Sequence, residues 1–227
     1  MGEKGMAAPL KPDLRILMPA MLDSVKQLEK IYGPVFSKMT VRFAVEFEAK
    51  KIGDQAPPAI ETLQDCAKYI MQNTDKYPDG ISSIVYGSCK AENALQGGIG
   101  SGGRTSTKQG MKEINVQTGA ASAYSKTANT TEVCRMQLDL AKKMGIMVGE
   151  TQLSGDENSV TVAYERCRFA DACKAILQEG IRRVGGGLEC TNARAGTSSI
   201  ELATGLAHDF DVVTFDPPHC VFRIFKV

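Results

Sequence analysis

The chain alternates between stretches with a helical repeat and stretches with a strand repeat. From Asp13 to Ile31 the apolar positions Leu14, Ile16, Leu17, Met21, Leu22, Val25, Leu28 and Ile31 return mostly at three- and four-residue steps. That spacing predicts an amphipathic helix, closed by Gly33-Pro34. A second helix is expected over 37–52, with Val41, Phe43, Ala44, Phe47 and Ala49 inward and Gly53 as its stop. A third, over 59–73, follows the pair Pro57-Pro58 and carries Ile60, Leu63, Cys66, Ala67, Ile70 and Met71 on one face. The run Ile81 to Tyr86, bounded by Gly80 and Gly87, then reads as the first strand.

The pattern breaks over 97–128. This stretch holds seven glycines and many small polar residues, with Arg104, Lys108, Lys112 and Lys126 against the single acid Glu113. It reads as a Gly-rich insertion, a functional loop or disordered segment around a short strand at 112–116. Beyond it a helix is expected over 131–144, with Thr131 as cap. Alternation over 159–165 predicts a strand, and Ala172, Cys173, Ile176, Leu177, Ile181 and Val184 predict a helix over 170–184. A weaker extended piece covers 188–192, and 198–203 fits strand or helix. The segments 211–215 and 221–227, joined by Pro217-Pro218, read as a hairpin. Helices first, then strands interrupted by helices, indicate α+β: a mostly antiparallel sheet with helices packed on one face. The organisation expected is an N-terminal arm and helix over 1–36 and one α+β domain over 37–227.

Composition narrows the classes. With 227 residues, 43% hydrophobic and 23% charged, the chain can bury a sizeable core. Twenty-seven Lys and Arg against 26 Asp and Glu leave a net charge of +1, so no basic excess points to nucleic acid. No apolar run is long enough for a membrane span. Residues 14–22 make a poor signal-peptide core because Arg15 and Pro19 interrupt them, and Met6 does not fit a myristoylation signal. Seven widely spaced cysteines suit reduced thiols in the cytoplasm rather than a disulfide framework.

Candidate chemistry is sparse. The glycines 97–103 could turn backbone N–H groups toward an anion, with Arg104 and Lys108 adding charge, but they lack the phosphate-loop spacing. Only His208 and His219 are available to a hydrolytic triad, and no nucleophile elbow accompanies them. Cys167 lies between Arg166 and Arg168, a setting that favours thiolate. With Glu165 as acid/base and His219 as proton carrier, it makes a candidate catalytic set. Cysteines and one imidazole could hold zinc, although no Cys-x-x-Cys pair occurs.

Three segments together resemble a known family. They are Gly80 to Val85, the run from Ser159 to Cys167 followed by Ala172-Cys173, and the closing Phe215-Asp216-Pro217-Pro218-His219-Cys220-Val221-Phe222-Arg223-Ile224. The chain is similar to the small-molecule-binding domain named after 4-vinyl reductase, over about 38–94 and 157–227. The segment from Cys167 to Cys173 also resembles thiazoline-carboxylate hydrolase-like proteins. The first resemblance implies a vinyl-reductase-like fold and a terminal metal site, carried over onto Cys173 and Cys220 alone.

The function expected is therefore that of a sensor or carrier. It would hold an apolar or aromatic ligand, a hydrocarbon for instance, between helices and sheet, lined by Phe43, Phe47, Tyr86, Arg104, Met136 and Phe169. A homodimer is expected. The alternatives are a cysteine- or metal-dependent enzyme of hydrolase or reductase type, and a small subunit of a larger complex on which 97–128 would order.

Overall fold

The computed structural model describes residues 14–120, 124, 129–217 and 219–227. Five helices open it: α1 (Leu14–Tyr32), α2 (Pro34–Ile52), α3 (Leu63–Gln72), α4 (Ile81–Gln96) and α5 (Ser101–Gln117). Then come α6 (Thr130–Lys143), the hairpin β1 (Met147–Gly155) and β2 (Ser159–Cys167), α7 (Ala170–Gln178), α8 (Thr191–Thr204), and the hairpin β3 (His208–Asp216) and β4 (His219–Lys226). The sheet is antiparallel throughout, in the order β1-β2-β4-β3. The expected α+β class, with helices leading and a hairpin closing the chain, is what forms.

Val160, Val162 and Tyr164 of β2 stand opposite Ile224, Phe222 and Cys220 of β4, and all six are buried. That apolar face is covered by α6, against β1 and β2, and by α8, against β3 and β4. Farther from the sheet, α5 packs on α1 and α8, while α4 packs on α2, α1 and α7. Helix α1, the helix expected after the N-terminal arm, packs into the common core; residues 1–13 lie outside the described residues.

Several elements depart from expectation. Residues 81–86 form the start of α4 rather than a strand. All six are buried, so the segment has no polar side to display a helical period, and its β-branched residues imitate a core strand. Residues 101–117 form α5, which replaces the expected loop and its strand at 112–116; residues 121–123 and 125–128 of that insertion lie outside the described residues. Its glycines are contact surfaces: a Cβ at Gly110 would overlap Ser24 Oγ on α1, and one at Gly102 would overlap the Tyr32 ring. The helix expected over 170–184 stops at Gln178; Gly180 turns the chain at φ 73°, and Ile99 then pairs with 182–184 through its backbone. The undecided piece over 198–203 and the end of the extended piece over 188–192 belong to the helix α8, while 188–190 lead into it without regular structure. Asn129 caps α6 by accepting the Glu132 N–H at 3.1 Å, while Thr131 donates instead to the Asp156 carbonyl at 2.7 Å. Strand β1 was not expected: beyond Met147 it is half or fully exposed, so few of its residues register as apolar.

Candidate functional site

The site grows from a buried carboxylate. Glu92 lies one turn before the end of α4, only 1% exposed. Its Oε1 accepts the backbone N–H groups of Gly100, at 2.9 Å, and Gly103, at 3.1 Å, together with the Tyr32 hydroxyl at 3.0 Å. The start of α5 therefore does bind an anion, as glycine-rich helix starts can, but the anion is the chain's own. Burial raises the Glu92 pKa, opposed by the Arg194 charge and by these donors. Burial together with Glu92 pushes Tyr32 up to about 12.

Arg194 of α8 completes the arrangement. Its guanidinium bonds Glu189 Oε2 at 2.5 Å. Burial works against its charge, yet Glu189 and Glu92 together lift its pKa further and keep it protonated. Gly103 is glycine because a Cβ there would overlap the Arg194 Nη1 atom.

Two cavities meet at this arginine. The first, about 100 Å³, is a partly open cleft bounded by α1, α4, α5, α6 and α8. Leu17, Val25, Val85, Met111, Met144 and Phe169 give it an apolar wall. Ser88 Oγ, buried beside it, has no hydrogen-bond partner among the described residues. The second, about 360 Å³, is a depression lined by Arg104, Arg183, Arg194, Asp209, Gln96 and Phe210, among others. Arg183 donates to Asp209 at 2.7 Å and to the Phe210 carbonyl at 2.7 Å, and lies over the Phe210 ring at 4.2 Å. Arg104 is held by Glu201 at 2.5 Å.

The residues expected at a ligand site divide. Phe169 lines the apolar cavity and Arg104 lines the depression. Phe43, Phe47 and Tyr86 line neither. Phe47 stacks on Tyr86 at 4.4 Å, and Lys90 sits 5.0 Å over Phe43 and bonds the Tyr86 hydroxyl, so these rings are spent on one another and on lysines. Met136 is partly buried against the core. The cavity also lies between helices, with α6 and α8 separating it from most of the sheet, rather than between helices and sheet.

The expected catalytic set is not assembled. Glu165 and His219 share a shallow depression with Glu150, Thr214 and Asp216, which Cys167 does not line. Cys167 is buried, its sulfur accepts the Phe169 N–H at 3.2 Å, and burial raises its thiol pKa. Arg166 and Arg168, expected to promote thiolate, both pair with Asp79, at 3.3 and 2.5 Å. The metal candidates Cys173 and Cys220 line a small pocket with Cys167, Cys190 and Tyr164. Among the described residues no three His, Cys, Asp or Glu side chains are arranged to hold a metal ion. All seven cysteines are free and buried.

Glu92 and Arg194 are not legible in the sequence, because each sits on a helix buried on so many sides that no amphipathic repeat marks it. The one available signal was the acid five residues before a cluster of glycines.

No family model matches the chain, nor does any curated protein or solved structure, so function has to be read from the site itself. Among the described residues no helix is long and apolar enough to cross a membrane.

Proposed function

We propose that the chain is a small-molecule-binding domain of the vinyl-reductase type, a sensor or carrier, with its ligand in the apolar cavity among α1, α4, α5, α6 and α8. One observation carries the reading: a partly open cavity of about 100 Å³ with an apolar wall and a hydroxyl, Ser88, that has no hydrogen-bond partner among the described residues. Apolar clefts with a few polar groups are the usual setting of small-molecule sites, and engineered apolar cavities of roughly 150 Å³ take up benzene. The thiols are all buried, and burial raises their pKa values, which argues for binding rather than cysteine catalysis. The terminal Cys220-x-Phe222-x-Ile224, all buried on β4, supports the family resemblance. A homodimer and a reducing, cytosolic setting belong to the same reading, since β1 and β3 end the described sheet and every cysteine is unpaired.

Titration with benzene, read by amide shifts in the isotope-labelled full chain, tests the reading. Saturable shifts are expected around Ser88, Gly110 and Ala195. Ala195→Leu, which puts a side chain into the cavity, should abolish them without lowering thermal stability by more than about 1 kcal/mol. No saturable shift up to the solubility of benzene would sink the proposal.

A further inference from the structure

The two cavities have opposite chemistry and a common wall, and the helices that build them run from one to the other. On α5, Arg104 faces the depression, while Thr107 and Met111, three and seven residues on, face the apolar cavity. On α4, Glu92 lines the apolar cavity and Gln96, one turn later, lines the depression. On α8, Ala195 lines the first and Thr197 the second, and Arg194 lines both.

The charges in the depression are also unequal. Arg104, Arg183 and Arg194 line it, with Asp209 as the one acid among its lining residues. Glu201, which fixes Arg104, and Glu189, which fixes Arg194, do not line it, whereas Arg183 is fixed by Asp209, which does line it and also stands 3.9 Å from Arg104. Three guanidiniums against the one carboxylate leave the depression a positive surplus, and Arg104 and Arg194 are held from outside it. Lys108 reinforces this, bonding Glu201 Oε2 at 3.3 Å. A guanidinium has five N–H donors, so one fixed by a carboxylate on one side still presents donors on the other. Convergent guanidiniums held in place recognise carboxylates and phosphates, because the ordering cost is already met. Glu92 stands on the far side of Arg194, with its Oε1 directed to Gly100, Gly103 and Tyr32.

We infer that the two cavities form one site for an amphiphilic anion, its apolar body among α1, α4, α5 and α6 and its carboxylate or phosphate against Arg104, Arg183 and Arg194. This deepens the proposed function and rests on it: the apolar cavity must take a ligand for the head group to be placed. The depression then supplies selection, since a neutral molecule of equal shape gains nothing from the arginines.

A matched pair of probes tests it on the full chain. Phenylacetate and 2-phenylethanol share a ring and differ in charge. Phenylacetate should bind at least about tenfold more tightly, a typical worth for charge-assisted hydrogen bonds. It should shift the Gly100 and Thr197 amides together with those of Ser88 and Gly110, whereas the alcohol should shift only the latter pair. Arg183→Gln and Arg104→Gln should each cut phenylacetate affinity several-fold and leave the alcohol unchanged; retained alcohol binding shows that the variant is folded. Equal affinity of the two probes for the unaltered protein overturns the inference while the proposed function stands. Binding of neither overturns both. Should both variants lose the alcohol as well, salt decides on the unaltered protein. Phenylacetate affinity must fall between about 20 and 300 mM salt while the alcohol's does not, and a flat dependence overturns the inference.

Discussion

Glu48 lies fully buried on α2, and its Oε2 accepts the Ser83 hydroxyl at 2.6 Å. Its other oxygen has no hydrogen-bond partner among the described residues. Burial raises its pKa from 4.5 to about 7, and the Ser83 bond opposes this only in part. An acid raised on folding favours the fold while it is protonated. Stability is fully present below the unfolded value and is lost as pH rises through the folded one, by an amount on the order of 3 kcal/mol. Glu48→Gln keeps an acceptor for Ser83 without the charge. The variant should match the parent in melting temperature near about pH 5 and melt higher near about pH 8. A difference that does not change with pH would show that Glu48 is not the group responsible. At Gly103 the reasoning is steric. Gly103→Ala must push back the Arg194 guanidinium, and a destabilisation of about 1–3 kcal/mol is expected by chemical denaturation. Gly119→Ala, with open space around its Cβ but φ at 73°, is a control that carries backbone strain alone.

At the scale of elements, α2 and α4 are joined by close approach. A Cβ at Gly87 would stand 2.5 Å from the Thr40 carbonyl oxygen and 3.0 Å from the Ala44 Cβ. Backbone cannot step aside as a side chain can, so Gly87→Ala should cost at least about 2 kcal/mol in denaturant unfolding. A cost under about 0.5 kcal/mol would mean that the helices separate freely. The same tight pairing explains what the sequence concealed. Helices α1, α2, α3 and α6 were legible because each presents a mixed surface, and β2 and the closing hairpin because they alternate. Helix α4 was hidden by burial on every side of its first two turns. Helices α5 and α8 were hidden because small residues, poor helix formers alone, are what close packing demands. The candidate site suffered from the same cause: of its predicted lining residues, Phe169 and Arg104 remain, and Glu92 and Arg194 lie on the concealed helices.

For the molecule as a whole, the seven thiols all lie inside the core, four of them, Cys167, Cys173, Cys190 and Cys220, around one small pocket. Burial raises Cys66, Cys134 and Cys190 to about 12 and lifts Cys89, Cys167 and Cys173 as well. Modification by a thiol reagent should therefore wait on opening of the fold. All seven should react together under denaturing conditions, and none should react within minutes in native buffer. One fast thiol in native protein would reopen cysteine chemistry, and its position would say where.

The carboxylate inside the start of α5 also sets an order of events during synthesis. Glu92 emerges from the ribosome a hundred residues before Arg194, the charge that stands against it in the finished core. Until α8 is made, the first five helices carry a carboxylate that cannot be buried without loss, so their final packing is deferred. Chains halted short of residue 189 should hold helix content without a fixed interior, and the interior should set once α8 leaves the exit tunnel. One ion cluster thereby makes the last sixth or so of the sequence a condition for the first half.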